Sequence, residues 1–261
     1  MGADRMKTIT VMAAGLSCLL GFVLGPQSHA QESEVESERS PFLTGGFESD
    51  LANGYFWHGL KFSCGNVIQN SAWLSAAGFT LSLWSNLEPN AAAPTPDMNE
   101  VDVAFSYAAV LGPLNLEPAV NRCLYPEQTV VPNTVETSIR LSITLGSFEP
   151  YMLHTFDVKA YSGAYFGELG VAGSWPMTDN LTFESATEIG WGSRKFNEAY
   201  LEIAEPSVQL VQWDLALTWY PTNTLYVSPH AGLSAVTDKA LREALDDPAI
   251  VQGGLRIGVD F

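Results

Sequence analysis

The sequence is short of positive charge: twelve Lys plus Arg stand against twenty-nine Asp plus Glu, a formal net charge of -17 over 261 residues. Phosphate backbones are held by clustered basic residues, so a nucleic-acid partner is excluded. Charge of either sign is scarce at 16%, while 46% of the chain is hydrophobic. That balance suits a chain with two solvents better than a globule in water. Cysteine is scarce as well. Cys64 and Cys123 lack the paired spacing of a zinc site, and no His-x-x-x-His pattern occurs, so neither a metal nor a cofactor is expected. Past residue 30 there is no apolar run of the roughly 20 residues that a transmembrane helix needs. A membrane life then requires a closed β-barrel.

What is present begins with an address. Arg5 and Lys7 precede an apolar run from Ile9 to Leu24, and "PQSHAQ" sets Ser28 and Ala30 before Gln31. This is the form of a secretory signal and its cleavage site. Residues 1–30 therefore read as a signal peptide, and residues 31–42, an acidic Ser-rich stretch with no apolar period, read as a periplasmic linker. Residues 43–261 read as one barrel domain.

Alternation dominates that domain. In "VETSIRLSIT" Val135, Thr137, Ile139, Leu141 and Ile143 share one parity, and Glu136, Ser138, Arg140, Ser142 and Thr144 the other. Opposite parities are opposite faces of a strand. "VDVAFSYA" and "VQWDLALTW" repeat the pattern. About twelve such segments, near the 9 to 11 residues of a tilted crossing, begin at Phe47, Val67, Phe79, Val101, Leu114, Val135, Phe148, Ser162, Leu181, Gln209, Leu225 and Val251. "ESDLANGYFWHGLKF" is long for one crossing, and glycines blur the parity of "YSGAYFGELGVAGSW", so the count is twelve within two.

The connections alternate in length. "AAG", "LGP", "GS", "PMTDN" and "PTNT" are tight turns, whereas "EPNAAAPTPDMNE", "YPEQTVVPN", "SRKFNEAYLEIAEPS" and "TDKALREALDDPA" are long. Short periplasmic turns and longer extracellular loops are the mark of an up-and-down transmembrane barrel in the outer membrane of a Gram-negative bacterium. The chain ends on "GGLRIGVDF", an alternating strand closed by Phe261. Such an end resembles the signal read by the outer-membrane assembly machinery, which with outer-membrane lipid makes up the expected partners.

The opening stretch, with Ser49, Asp50, Gly59, Gly78, Trp84, Ser85 and Asn86 in matching places, resembles the Gcw_chp family of bacterial proteins. "NEVDVAFSYAAVLGPLNLEPAVNRCLYPE" is similar to that family's acidic-start strand, Gly-Pro-type turn and Tyr-Pro loop. His58 stands where the family usually has Arg. The resemblance implies a small outer-membrane barrel without an assigned activity.

Parity turns Glu48, Asp50, Asp102, Glu117, Glu136, Glu184, Glu188, Asp214 and Asp260 inward against few cations. The expected pore-lining residues are Glu136, Arg140, Glu184, Glu188, Asp214, His230, Arg256 and Asp260. Acid excess favours a narrow channel for cations or small polar solutes; the same residues could also fill a structural envelope barrel with salt bridges. Two other readings stay open. Ser228 and His230 share a strand face, the one pair that approaches a hydrolase acting on lipid or cell wall, although no convincing catalytic constellation is present. The long loops, including "DKALREAL", could bind a partner outside the cell. Cys64 and Cys123 fall near the outer ends of strands, where an oxidising compartment permits a disulfide.

Overall fold

The computed structural model describes residues 43–63, 65–89, 97–126, 128, 131–245 and 247–261. The proposed signal peptide and linker, and Cys64, lie outside the described residues. In the first half come β1 (Leu43–Ala52), the short β2 (Phe56–Trp57) and β3 (Leu60–Lys61), β4 (Val67–Ala76), β5 (Phe79–Glu88), β6 (Asp97–Tyr107), β7 (Ala109–Leu111) and β8 (Leu114–Leu124). There follow β9 (Thr134–Ile143), β10 (Phe148–Asp157), β11 (Tyr165–Thr178), β12 (Leu181–Gly192), α1 (Arg194–Leu201), β13 (Ser207–Trp219), β14 (Leu225–Val236), α2 (Lys239–Ala244) and β15 (Ala249–Asp260).

Each wall strand pairs antiparallel with its sequence neighbour, and two ladders close the ring: β1 with β15, through Phe47↔Val259, and β6 with β8, through Val101↔Leu124. β6 and β7 are one wall strand interrupted at Ala108, whose N–H donates to Gly78 O at 2.8 Å. With β2 and β3 set apart as a small separate sheet, the wall is a closed antiparallel barrel of twelve strands.

Alternation explains which side of the wall each residue takes. The apolar parity faces outward: Phe47, Phe105, Val120, Met152, Leu169 and Trp213 are all exposed, on strands around the whole ring. The polar parity faces the lumen, where Asp50, Asn86, Asp102, Glu136, Glu168 and Ser228 are buried. A globule in water has the reverse arrangement.

The five short turns lie at one end with both Leu43 and Phe261; Gly45 and Phe261 exchange backbone hydrogen bonds of 2.9 Å there. At the turn after β4, Ala77 (φ 51) and Gly78 (φ 84) both take positive φ, the two-residue geometry that follows the twist of a hairpin.

At the long-loop end the chain between β1 and β4 departs from the wall. β1 ends at Ala52, and the rest of "ESDLANGYFWHGLKF" is no second crossing but a roof. β2 and β3 pair through Trp57↔Leu60 across His58 (φ 48) and Gly59 (φ 77). A Cβ on Gly59 would stand 2.8 Å from Leu210 Cδ1, so glycine serves both the turn and the close approach. Tyr55, Trp57 and Leu60 are buried with Phe166, Phe196, Tyr200 and Leu210 in the main apolar cluster. Trp57 meets Phe196 at 5.5 Å and Tyr200 at 5.4 Å between ring centroids.

Two of the long connections carry helices. α1 is capped by Ser193, whose side chain accepts from Phe196 N, and it points Phe196 and Tyr200, one turn apart, into the roof. α2, within the loop stretch "DKALREAL", is capped by Asp238 and buries Leu241.

Candidate functional site: an acidic cavity beneath an aromatic roof

Below the roof lies a cavity of about 240 Å³. Tyr55, Trp57, His58 and Trp84 face it from the roof side, and Glu48, Asp50, Glu168, Glu184, Glu188, Asp214, His230 and Arg256 are among its walls. Six carboxylates therefore face one Arg and two His.

Most of these acids are held by neutral donors rather than by cations. Asp214 accepts from Gln212 Nε2 at 2.7 Å and from Gln252 Nε2 at 2.9 Å. Glu184 accepts from Thr218 Oγ1 at 2.9 Å, Glu48 from the Tyr226 hydroxyl at 2.8 Å, and Glu188 from the Tyr151 hydroxyl. Amides and hydroxyls orient a carboxylate without cancelling its charge. Asp50 is the exception: His230 Nε2 lies 2.9 Å from both its oxygens and Arg256 Nε 3.7 Å from Oδ2.

His58 joins roof to wall. Its Nδ1 is 3.0 Å from Glu168 Oε1, its ring stacks on Phe166 at 3.7 Å, and its Nε2 has no hydrogen-bond partner among the described residues. Burial holds the imidazole far below its ordinary range, at about 3, against the opposing pull of Glu188. A neutral ring with the proton on Nδ1 fits both contacts: it donates to Glu168 and leaves a lone pair, not an N–H, in the unpartnered position.

Five of the expected lumen residues, Glu184, Glu188, Asp214, His230 and Arg256, border this cavity. Glu136, Arg140 and Asp260 do not border it. Arg140 is taken up by Glu149, with Nη1 to Oε1 at 2.6 Å, and lies over the Tyr151 ring at 4.5 Å. Glu136 is buried near the long-loop end of β9, and Asp260 is the last residue of β15 at the short-turn end. Parity sets the face of a strand but not the height along it. Ser228 Oγ pairs with Thr218 Oγ1 at 2.9 Å and shares no hydrogen bond with His230, which is occupied by Asp50. The nucleophile–base contact a hydrolase needs is not made.

Glu168, Trp57 and His58 were not singled out from the sequence as lumen residues. The glycines of β11 hid the first, and only the aromatic content of "GYFWHG" marked the others. Also unforeseen is a side-chain group in the wall beside the roof. The β6–β8 ladder sets Asp102 opposite Cys123, and Glu100, two residues earlier on the same face, joins them. One ligand-type atom from each of the three lies within 4.8 Å of the others. Tyr55 OH donates to Glu100 Oε2 at 2.9 Å, and Asn121 Nδ2 donates to Asp102 Oδ2 at 2.8 Å and approaches Cys123 Sγ at 3.3 Å. Tyr125, two residues beyond Cys123, is buried in the same apolar cluster.

No protein-family model and no curated protein matches the chain. Among solved structures, the NanC porin shares 15% identity, with 82% of this chain and 98% of that one covered and a TM-score of 0.51. The chain has a porin-type barrel fold. The KdgM porin in complex with disordered oligogalacturonate (12% identity, 84% and 98% covered, TM-score 0.48) and an outer membrane channel from Pseudomonas putida F1 (10%, 87% and 100%, TM-score 0.45) are also similar.

Proposed function

We propose that the protein is a narrow outer-membrane channel for cations and small polar solutes, roofed on its extracellular side by the hairpin between β1 and β4. One observation carries the reading: six carboxylates and a single Arg border the cavity in the barrel axis. Acidic rings in a water-filled path attract cations and repel anions.

The membrane part of the reading rests on the outer surface. Large apolar side chains are exposed all round the barrel, far beyond the few hundred Å² of continuous apolar surface that soluble monomers tolerate. The sorting of short turns and long loops to opposite ends supports an orientation with the roof outside and both described chain ends inside. Export by residues 1–30, recognition of Phe261 by the assembly machinery and membership of the Gcw_chp family belong to the same proposal.

The test is conductance of the folded protein in a planar bilayer under a salt gradient. Small steps with a cation-selective reversal potential are expected. A folded barrel that stays silent both intact and with the hairpin removed overturns the channel, and a protein that remains folded and monomeric without detergent overturns the membrane barrel.

A further inference from the structure

Glu100, Asp102 and Cys123 meet in a closed space inside the wall, where β6 and β8 pair, and each is almost wholly buried. A buried oxygen left without a partner asks for a ligand there. Asp102 Oδ1 is buried without a hydrogen-bond partner among the described residues, although Asp102 Oδ2 is held by Asn121. The Tyr125 hydroxyl, in the same buried cluster as Tyr55 and Cys123, is likewise without one. A buried carboxylate oxygen left unmatched is costly.

We propose that Glu100, Asp102 and Cys123 bind one divalent transition-metal cation of the zinc class, with the Tyr125 hydroxyl or a solvent oxygen completing the shell. Zinc accepts carboxylate oxygen at about 2.0–2.2 Å and thiolate sulfur at about 2.3 Å, commonly with four ligands. Donors already within 4.8 Å of one another reach a common ion by side-chain rotation, with the strands left in place. The thiolate argues for zinc over calcium or magnesium, which take oxygen alone. On binding, the Cys123 S–H bond breaks, sulfur keeps the electron pair for the metal, and the proton passes to solvent. The ion would sit one hydrogen bond from the roof, because Tyr55 donates to Glu100. Metal uptake does not depend on conduction, so this proposal and the channel fail separately.

The experiment uses the folded protein in detergent, reduced, stripped with chelator and then dialysed against Zn²⁺ or Co²⁺. One Zn²⁺ per chain is expected, with a rise in unfolding temperature, since a ligand of the folded state stabilises it. The Co²⁺ form should show thiolate-to-metal charge-transfer absorption, kept in Cys64→Ser and lost in Cys123→Ser. Asp102→Asn should weaken Zn²⁺ binding by at least about tenfold, in line with the sensitivity of metal sites to nearby changes. Asp179→Asn, an exposed turn acid, should leave it unchanged. No stoichiometric uptake by a folded barrel overturns the proposal, as does a cobalt spectrum without a thiolate band, or uptake that Asp102→Asn does not alter. A Cys64–Cys123 disulfide in the isolated protein also overturns it. The cobalt spectrum of the unaltered chain decides the matter even if a variant fails to fold.

Discussion

At the long-loop end of the lumen Trp57, Phe196 and Tyr200 lie in mutual ring contact and Phe166 joins them through Phe196, whereas a few residues further along β11 and β13 the inward side chains are Glu168, Gln212 and Asp214, facing a cavity. On β11 the change takes one step of the inward parity, from Phe166 to Glu168; on β13 it runs from Leu210 to Gln212. The wall geometry is the same in both regions. What differs is that the upper inward positions of β11 and β13 are apolar and receive a hairpin, while their lower ones are polar and receive none. On the proposed function, closure and conduction belong to separate layers of one barrel, and each can be broken without the other.

Removing the roof is the most severe way to break the comparison. Replacing residues 54–62 by a short Gly-Ser link exposes the cavity to the long-loop side, and single-channel conductance should rise several-fold while cation preference persists. An unchanged conductance would mean the hairpin does not obstruct the path. Trp57→Ala is the local version. It removes a buried ring from contact with Phe62, Phe196 and Tyr200, at a cost of about 3–5 kcal/mol in the packing of the roof. Limited proteolysis should then cut within residues 53–63 much faster, with the barrel itself still resistant.

The lower layer is tested by charge. Glu184→Gln, Glu188→Gln and Asp214→Asn combined remove three of the six cavity carboxylates and keep shape and most hydrogen bonds. The reversal potential under a salt gradient should move toward zero, with conductance little changed. Asp50→Asn should move it less, because that charge is already met by His230 and Arg256. Equal effects from the two changes would show that pairing does not decide which acids act on the path.

The sequence carried the wall more fully than the lumen. "VETSIRLSI" and "VQWDLALTW" fall within β9 and β13 with their apolar parity outward, because outward and lumen-facing positions alternate with period two. Loop length sorted correctly because tight turns need special residues such as Gly78. Height and proximity were hidden. Glu136 and Glu188 are both inward by parity, yet only Glu188 borders the cavity, since strand tilt and stagger set the level of a residue. The meeting of Glu100, Asp102 and Cys123 depends on the register of β8 on β6, which sets Asp102 opposite Cys123 and which parity alone does not supply. α1 went unread within its loop, although Phe196 and Tyr200 at four-residue spacing mark its buried face.

His58 gives the subtlest way to set one layer against the other, because it belongs to the roof and touches a carboxylate of the wall. Its folded-state value, near 3, lies below the ordinary 6.5, so between these two values the unfolded or undocked segment binds a proton that the docked one refuses. The docking contribution is therefore complete above about pH 6.5, falls as the pH drops toward 3, and is spent below it. Acid should loosen the roof while the twelve-stranded wall stays intact. Hydrogen exchange of residues 53–63 at pH 4 and pH 7, corrected for the intrinsic pH dependence of exchange, reads this directly. Faster opening at pH 4 is expected in the unaltered chain, and His58→Gln, which cannot titrate, should show a smaller difference. Equal pH responses in the two proteins would move the sensor to Glu168, whose carboxylate stands 3.0 Å from the ring, and would leave His58 as a packing residue of the roof alone.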